Sequence, residues 1–152
     1  MCIRDRVKRY ITDFGTEDLL NKPNVTVFPH VGGSTGEAEL NCAIMAGQTI
    51  RRFMETGEIV NSVNFPRVQQ ALSAPYRITL INKNVPNIVA RISTAVSDFN
   101  INIDNIINRS KGDYAYTLLD LDETDKSKID ELVAKFEASD NIVRVRLIKG
   151  KK

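Results

Sequence analysis

Apolar residues recur every three or four positions in three segments of the chain, and this spacing predicts three amphipathic helices. The longest segment covers residues 34–56 and is followed by a glycine, a residue type common just after helix ends. Ser34 and Glu37 have the spacing of a capping box, so we expect this helix to begin at Ser34. Ahead of it, residues 7–14 and 25–28 predict two strands that are too short to form a stable sheet by themselves.

From Tyr76 onward, strand and helix patterns follow one another in the order β-α-β-β-α-β. The first of these strands places Arg77 and Thr79 opposite its apolar residues, which predicts a half-buried strand. A Lys-Gly-Asp turn joins the two middle strands, and Thr124 or Asp125 is expected to cap the last helix. This order of elements is that of the ferredoxin-like fold.

These patterns predict an α/β segment followed by a small α+β domain. Residues 1–6 join poorly to the strand that begins at residue 7, so we interpret them as a non-native leader. Residues 7–66 are expected to be the carboxyl-terminal end of a larger α/β domain, with helix 34–56 crossing out of it. The polar residues 67–75 are then a linker, and residues 76–152 form the α+β domain.

The amino-acid composition excludes some classes of protein but does not identify one. The chain has 152 residues, of which 42% are apolar and 26% charged, and these values are typical of a globular protein. No apolar run is long enough for a membrane span, and a formal net charge of +2 gives no argument for a nucleic-acid partner. Cys2 and Cys42 do not form a disulfide or metal-binding pattern, and Cys42 is expected to be a packed helix residue. A cytoplasmic location is therefore the expectation.

The only histidine, His30, follows a β-branched strand and precedes a Gly-Gly pair and the longest helix. Histidine exchanges protons near neutral pH, so at a strand end of an α/β domain it suits general acid–base catalysis. The acids on the loop after the preceding strand, Asp13, Glu17 and Asp18, are the candidates for its partner. Taken singly, the histidine and each acid could equally be ordinary surface or partly buried residues.

The segment around His30 resembles the active-site segment of the NAD-dependent D-2-hydroxyacid dehydrogenases; residues 27–35 read Val-Phe-Pro-His-Val-Gly-Gly-Ser-Thr. Residues 61–66 read Asn-Ser-Val-Asn-Phe-Pro and are similar to the branch of that family that acts on 3-phosphoglycerate. The module after the linker resembles the ACT domain, a regulatory amino-acid-binding unit. The resemblance therefore implies the carboxyl-terminal end of a Rossmann-like nucleotide-binding domain followed by a ferredoxin-like ACT domain.

The resemblance implies hydride transfer between NAD and C2 of 3-phosphoglycerate, with His30 exchanging the hydroxyl proton. It assigns Glu17 as the carboxylate partner of His30, with the two neighbouring acids left open, and it places Gly32 and Gly33 near the nicotinamide end of the cofactor. The chain contains no Gly-x-Gly-x-x-Gly phosphate loop. We therefore expect that this chain alone neither binds NAD tightly nor turns over substrate.

In the ACT-like module, the resemblance assigns Asn82, Asn84 and Asn102 to binding of L-serine or another amino acid. An amide side chain offers both a donor and an acceptor, as a zwitterionic ligand requires. Asn87 stands where the family has a glycine that lets backbone approach the ligand. Asparagine is also a common turn residue, so each position could be purely structural. Exposed edge strands of such a sheet favour pairing between modules, so a homo-oligomer is expected.

Two alternatives remain open on the sequence. The chain could be a stand-alone amino-acid-sensing module whose first half is a dimerisation arm. It could also come from another D-2-hydroxyacid dehydrogenase fused to an ACT domain, acting on a substrate such as glycerate or lactate.

Overall fold

The computed structural model describes residues 8–150, so the leader predicted at residues 1–6 lies outside the described residues. The chain divides into two compact units, Met1–Ala46 and Gly47–Lys152, and the domain limits predicted from the sequence stay predictions. The helices and strands, in chain order, are β1 (Tyr10–Thr12), β2 (Val25–Val27), α1 (Gly36–Thr56), β3 (Tyr76–Lys83), α2 (Ile88–Ser97), β4 (Ile103–Lys111), β5 (Tyr114–Leu121), α3 (Lys126–Glu137) and β6 (Ile142–Lys149).

The first unit contains a two-stranded parallel sheet, in which Tyr10 of β1 is opposite Val25 of β2. The Phe28 amide donates to the Thr12 carbonyl at 3.1 Å and extends the ladder past the end of β2. A Cβ at Gly15 would lie 2.6 Å from Cγ1 of Val27, so the chain can pass β2 at this point only because residue 15 is glycine. Because the strands are parallel, the loops after them leave the sheet at the same edge.

Helix α1 begins at Gly36, two residues later than predicted. The hydroxyl of Thr35 accepts a hydrogen bond from the Ala38 amide at 3.2 Å, which makes Thr35 the capping residue. The predicted capping box on Ser34 is therefore wrong, because the Ser34 amide already closes the preceding turn by donating to the Val31 carbonyl at 3.0 Å. Cys42 is exposed, so the prediction that it packs inside the chain is also wrong.

The second unit has a four-stranded antiparallel sheet in the order β4-β5-β3-β6. Helices α2 and α3 cover one face, and the βαββαβ connection with this strand order is the ferredoxin-like fold predicted from the sequence. The core between helices and sheet is built mainly from branched aliphatic side chains, among them Ile78, Leu80, Ile92, Val96, Leu119, Leu121, Ile129 and Leu132. Asp125 caps α3 by accepting from the Ser127 amide at 2.9 Å, as one of the two predicted candidates.

The opposite face of the sheet is also covered, which corrects the prediction that β3 is half-buried. Arg77 is 0% exposed and Thr79 is 4% exposed, although both lie on the face away from the helices. Residues 57–71, which we call the covering segment, lie on this face. Its residues Ile59 and Val68 form a β-bridge with each other and pack with Tyr116 and Leu118 in a second apolar cluster.

The same face of the sheet binds the carboxyl-terminal end of α1. A helix leaves its last four carbonyls without intrahelical partners. Here the Arg146 guanidinium donates to the carbonyls of Phe53 and Met54, Arg77 donates to Thr56, and Tyr116 donates to Gly57. The end of α1 and the sheet therefore hold each other through polar contacts from three strands.

Gly57 ends α1 in the left-handed conformation, with φ of 72°, as the sequence predicts for the residue after a helix. A Cβ at this position would lie 2.5 Å from Cγ2 of Thr79 and 3.0 Å from Cδ1 of Ile148. Glycine is therefore required here both by the backbone conformation and by the close approach of α1 to the sheet. No helix within residues 8–150 has the length and apolarity needed to cross a membrane.

Candidate catalytic pair and candidate effector site

The first candidate site lies at the shared edge where β1 and β2 end. Asp13 comes directly after β1, and His30 comes three residues after β2. The Nδ1 atom of His30 lies 2.6 Å from Oδ2 of Asp13, and the two side chains are 62% and 33% exposed. The parallel pairing of two very short strands thus places a histidine and a carboxylate in direct contact.

The hydrogen-bond partner of Nδ1 determines which nitrogen of the neutral imidazole carries the proton. A carboxylate only accepts hydrogen bonds, so Nδ1 carries the proton and donates it to Asp13. In the neutral ring, Nε2 is then the unprotonated nitrogen, and it is the atom able to remove a proton from a bound molecule. The Phe14 ring stacks against the imidazole with 4.5 Å between centroids and an angle of 44°, which further fixes its orientation.

Within the described residues, His30 is bonded to Asp13, an alternative left open by the sequence, and not to Glu17 or Asp18. Glu17 and Asp18 are exposed. They lie in a turn closed by the amides of Leu19 and Leu20, which both donate to the Thr16 carbonyl. The structure thus brings one of the three candidate acids to the histidine. The catalytic role assigned to Glu17 stays a prediction.

Gly32 and Gly33 lie in the exposed turn between His30 and α1. A Cβ added at either position would meet nothing within 4 Å, so the backbone there is open and not enclosed in a cradle. Their role at the nicotinamide end of NAD stays a prediction. Within residues 8–150, no cluster of three or more histidine, cysteine or acidic side chains is arranged to hold a metal ion.

The second candidate site is the turn between β3 and α2. Asn82 is fully buried, and both ends of its amide are used: Oδ1 accepts from the Thr117 hydroxyl at 2.9 Å and Nδ2 donates to the Lys83 carbonyl at 3.0 Å. Because the side chain is fully buried, its amide is not exposed to a ligand in this conformation. Asn82 thus supports the turn from beneath, and the ligand-binding role assigned to it stays a prediction.

Asn84 and Asn102 are both exposed. Asn84 Nδ2 donates to the Gly112 carbonyl at 3.1 Å, which leaves the Oδ1 atom of Asn84 as an acceptor for a ligand. Asn102 immediately precedes β4, and its carbonyl accepts from the Asp122 amide at 3.1 Å. Within the described residues, its side-chain amide has no hydrogen-bond partner.

Asn87 adopts φ of 64° and ψ of 8°, the left-handed conformation that glycine adopts without strain. Asparagine is one of the few other residues that visit this region readily. The turn therefore keeps a glycine-like backbone at the position where the family resemblance implies glycine, and α2 begins at the next residue.

Two polar groups were missed by the sequence prediction. Arg77 uses all five of its N–H groups: two contact the Asp120 carboxylate at 2.5 and 2.7 Å, and three contact the carbonyls of Thr56, Gln70 and Ala71. Alternation alone assigned Arg77 to solvent, and the pattern within the strand does not reveal that the preceding segment covers it.

The second missed group is Thr117 with Asn108, whose Nδ2 lies 2.7 Å from the Thr117 hydroxyl. Thr117 is paired with Leu80 of β3, and Asn108 is paired with Thr117. Both side chains, like that of Asn82, therefore lie on the face of the sheet that carries the apolar core. Polar residues at core positions of three adjacent strands are the signal that could have found this group.

Burial raises the pKa of the Tyr116 phenol, and the hydrogen bond with Thr79 and the charges of Arg146 and Arg77 oppose this effect. The phenol is therefore kept protonated as a donor to the Gly57 carbonyl, at 2.7 Å. In the loop between β5 and α3, hydrogen bonds from the Asp125 amide, Lys128 and the Thr124 amide lower the pKa of Glu123 to about 2.

No protein-family model matches the chain. D-3-phosphoglycerate dehydrogenase 2 of Saccharomyces cerevisiae is 31% identical over 139 residues, which cover 88% of this chain and 29% of that protein. The chain is a relative of the D-3-phosphoglycerate dehydrogenases. The D-3-phosphoglycerate dehydrogenase of Escherichia coli is 26% identical over 133 residues, which cover 88% of this chain and 32% of that enzyme. The chain thus spans less than a third of the length of these D-3-phosphoglycerate dehydrogenases.

Among solved structures, the ACT domain from the GTP pyrophosphokinase of Chlorobium tepidum has a TM-score of 0.44 and 18% identity, over 48% of this chain and 95% of that one. The regulatory subunit of aspartate kinase from Thermus thermophilus has a TM-score of 0.38 and 23% identity, over 51% of this chain and 52% of that one. The ferredoxin-like assignment of this dehydrogenase relative rests on its own strand order and connections.

Proposed function

We propose that the chain forms part of a cytoplasmic NAD-dependent D-3-phosphoglycerate dehydrogenase, which oxidises 3-phosphoglycerate to 3-phosphohydroxypyruvate in L-serine biosynthesis. The observation that carries this proposal is the 2.6 Å hydrogen bond between His30 and Asp13, within a chain related to such enzymes over 88% of its length. A histidine held by a carboxylate at a strand edge is suited to moving the proton that must leave when an alcohol becomes a ketone.

In this proposal, His30 Nε2 removes the proton of the C2 hydroxyl during oxidation and returns it during reduction. Asp13 holds the ring through Nδ1, so that Nε2 stays directed outward, and its negative charge stabilises the imidazolium that forms. A bound NAD would supply the acceptor for the hydride of C2. Gly32 and Gly33 leave the backbone beside His30 open to an approaching molecule.

The catalytic proposal can be tested in a chimera in which this chain replaces the matching region of the S. cerevisiae relative. We expect His30→Gln to lower the turnover of 3-phosphoglycerate about 100-fold or more, the usual range for loss of a general acid–base. Asp13→Asn is expected to lower turnover by about tenfold, because the neutral amide no longer holds and stabilises the imidazolium. Glu17→Gln is the matched control and should leave turnover near that of the unaltered chimera.

A larger loss in Glu17→Gln than in Asp13→Asn would transfer the partner role to Glu17. Unchanged turnover in His30→Gln would contradict the catalytic proposal as a whole. The chain alone, mixed with NAD and 3-phosphoglycerate, is expected to produce no NADH.

We further propose that the ferredoxin-like module binds L-serine, the end product of the reaction sequence, as an ACT domain. The Oδ1 atom of Asn84 is available to accept from the ammonium group, and the exposed amide of Asn102 offers donors to a carboxylate. Strands β4 and β6 are the edges of the sheet, and pairing through one of them would make the protein a homo-oligomer. Analytical ultracentrifugation of the chain tests that association.

Calorimetric titration of the full chain with L-serine tests the effector proposal. Asn84→Ala and Asn102→Ala should each weaken binding about tenfold, as expected when a hydrogen bond to a charged group is lost. Asn64→Ala, at an exposed position of the covering segment, is the control and should bind like the unaltered chain. Heat with a different amino acid and none with L-serine would replace the effector while keeping the module's role.

A further inference from the structure

A chain of three polar side chains crosses the sheet on the face that packs against α2 and α3. Asn108 of β4 contacts Thr117 of β5 at 2.7 Å, and Thr117 contacts Asn82 of β3 at 2.9 Å. Asn82 and Thr117 are fully buried. Polar groups in such a position lower stability unless each one is hydrogen-bonded, and in this group each one is.

The direction of this chain of hydrogen bonds is set by its last acceptor. Asn82 contacts the Lys83 carbonyl at 3.0 Å, and a carbonyl only accepts, so the Nδ2 end of Asn82 must face it. Oδ1 of Asn82 then faces Thr117, whose hydroxyl must donate to it. The single hydroxyl proton is thereby committed, so Thr117 must accept from Nδ2 of Asn108.

The Lys83 carbonyl, the last acceptor in this chain of hydrogen bonds, is also the acceptor that forms the turn before α2. It accepts from the Val85 amide at 3.0 Å, which closes a three-residue turn with Asn84 at its centre. Asn84 is one of the two exposed asparagines of the candidate effector site. The buried chain of hydrogen bonds therefore ends on one of the groups that orient Asn84, together with the Gly112 and Asp113 carbonyls.

We propose that Thr117 and Asn108 are positioning residues of the amino-acid site, which act through Asn82 and the Lys83 carbonyl to orient Asn84. This inference rests on the proposed binding of an amino acid by the module. It also reassigns Asn82, which acts from beneath the turn and does not contact the ligand.

The test is calorimetric titration of the full chain with L-serine in three variants. Thr117→Val keeps the shape of the side chain and removes the hydroxyl, so Asn82 loses its donor. Asn108→Asp replaces the first donor of this row of hydrogen bonds by an acceptor, which draws the Thr117 hydroxyl proton away from Asn82. Both variants are expected to weaken L-serine binding about tenfold, whereas Thr117→Ser keeps the hydroxyl and is expected to restore it.

Loss of stability must be separated from loss of orientation, because Thr117→Val also destabilises the core. Ile129→Val, at a fully buried position of α3, is the control: it should lower stability without weakening L-serine binding. Equal affinities in the unaltered chain, Thr117→Val and Asn108→Asp would overturn this inference and leave the proposed effector function intact. Weakening in Ile129→Val to the same degree would also overturn it. No binding of any amino acid by the unaltered chain would overturn the effector proposal, and this inference with it.

Discussion

Two of the close contacts between a cationic or titratable side chain and an aspartate differ sharply in burial. Arg77 and Asp120 lie at 2.5 Å and are 0% and 1% exposed. His30 and Asp13 lie at 2.6 Å and are 62% and 33% exposed. The first pair joins two neighbouring strands of the sheet, and the second joins the ends of two three-residue strands.

The difference lies in what else each pair contacts. Every N–H group of Arg77 is bonded, and three of its bonds hold the carbonyls of Thr56, Gln70 and Ala71, so the pair fastens the covering segment and the end of α1 to the sheet. Within residues 8–150, the His30 side chain makes one hydrogen bond, through Nδ1, so Nε2 has no partner there, and the side chain is 62% exposed. A fully bonded buried pair serves the fold, whereas an exposed pair with one uncommitted titratable atom is available for chemistry.

The largest effect is expected from breaking the buried pair. Arg77→Met leaves the Asp120 charge buried without its partner and three carbonyls without donors, so we expect a loss of about 3–5 kcal/mol in the free energy of unfolding. Urea denaturation of the full chain measures this loss. Arg144→Met, at an exposed position of β6, is the control and should change stability by less than about 0.5 kcal/mol. Similar losses in both variants would show that Arg77 does not hold the covering segment.

The next largest effect concerns Gly57, at the junction of α1 and the covering segment. Gly57→Ala adds left-handed strain and a contact with Thr79, and we expect a loss of about 2–4 kcal/mol. Gly112→Ala is the matched control, because Gly112 has φ of 63° but open space around it, and its loss should be about 1 kcal/mol. Thermal unfolding of both variants separates strain from crowding, and equal losses would contradict the close approach of α1 to the sheet.

A smaller effect is expected from Tyr116→Phe, which removes the donor to the Gly57 carbonyl and should cost about 1–2 kcal/mol at neutral pH. Burial raises the pKa of Tyr116, so folding favours the protonated phenol. Its contribution is complete below the unfolded-state pKa of about 10 and is lost as the pH rises through the folded-state pKa. The stability difference between the unaltered chain and the variant should therefore shrink in alkaline urea denaturation series. Tyr114→Phe, at a 48% exposed position, should show no such trend.

The smallest effect on stability is expected at the exposed pair. Asp13→Asn should change the free energy of unfolding by less than about 1 kcal/mol, because solvent screens the interaction on both sides. Its effect should instead appear in the turnover of 3-phosphoglycerate by the chimera with the S. cerevisiae relative. A stability loss in urea as large as that of Arg77→Met would remove the distinction between the two pairs.

The sequence predicted what depends on local pattern and turn chemistry. The βαββαβ order, the position of Gly57 after α1 and the cap on Asp125 result from periodicity and from the conformations that these residues favour. The burial of Arg77 could not be predicted in this way, because the covering segment that buries it lies outside its strand. The choice of Asp13 over Glu17 as the bonded acid depends on side-chain direction at a strand end, which spacing does not determine.

The buried Arg77–Asp120 pair is expected to fix the covering segment to the sheet, whereas the exposed Asp13–His30 pair is not expected to prevent local opening. Native-state hydrogen exchange of the full chain, resolved at single amides, tests this difference directly. The amides of Ile59 and Val68 each donate to the carbonyl of the other residue. We predict that these two amides exchange as slowly as those of β3 and β5. The Phe14 and Phe28 amides, beside the Asp13–His30 pair, should exchange much faster through local opening. Exchange at Ile59 and Val68 as fast as at Phe14 and Phe28 would show that residues 57–71 are a loose linker and that Arg77 does not fasten them to the sheet.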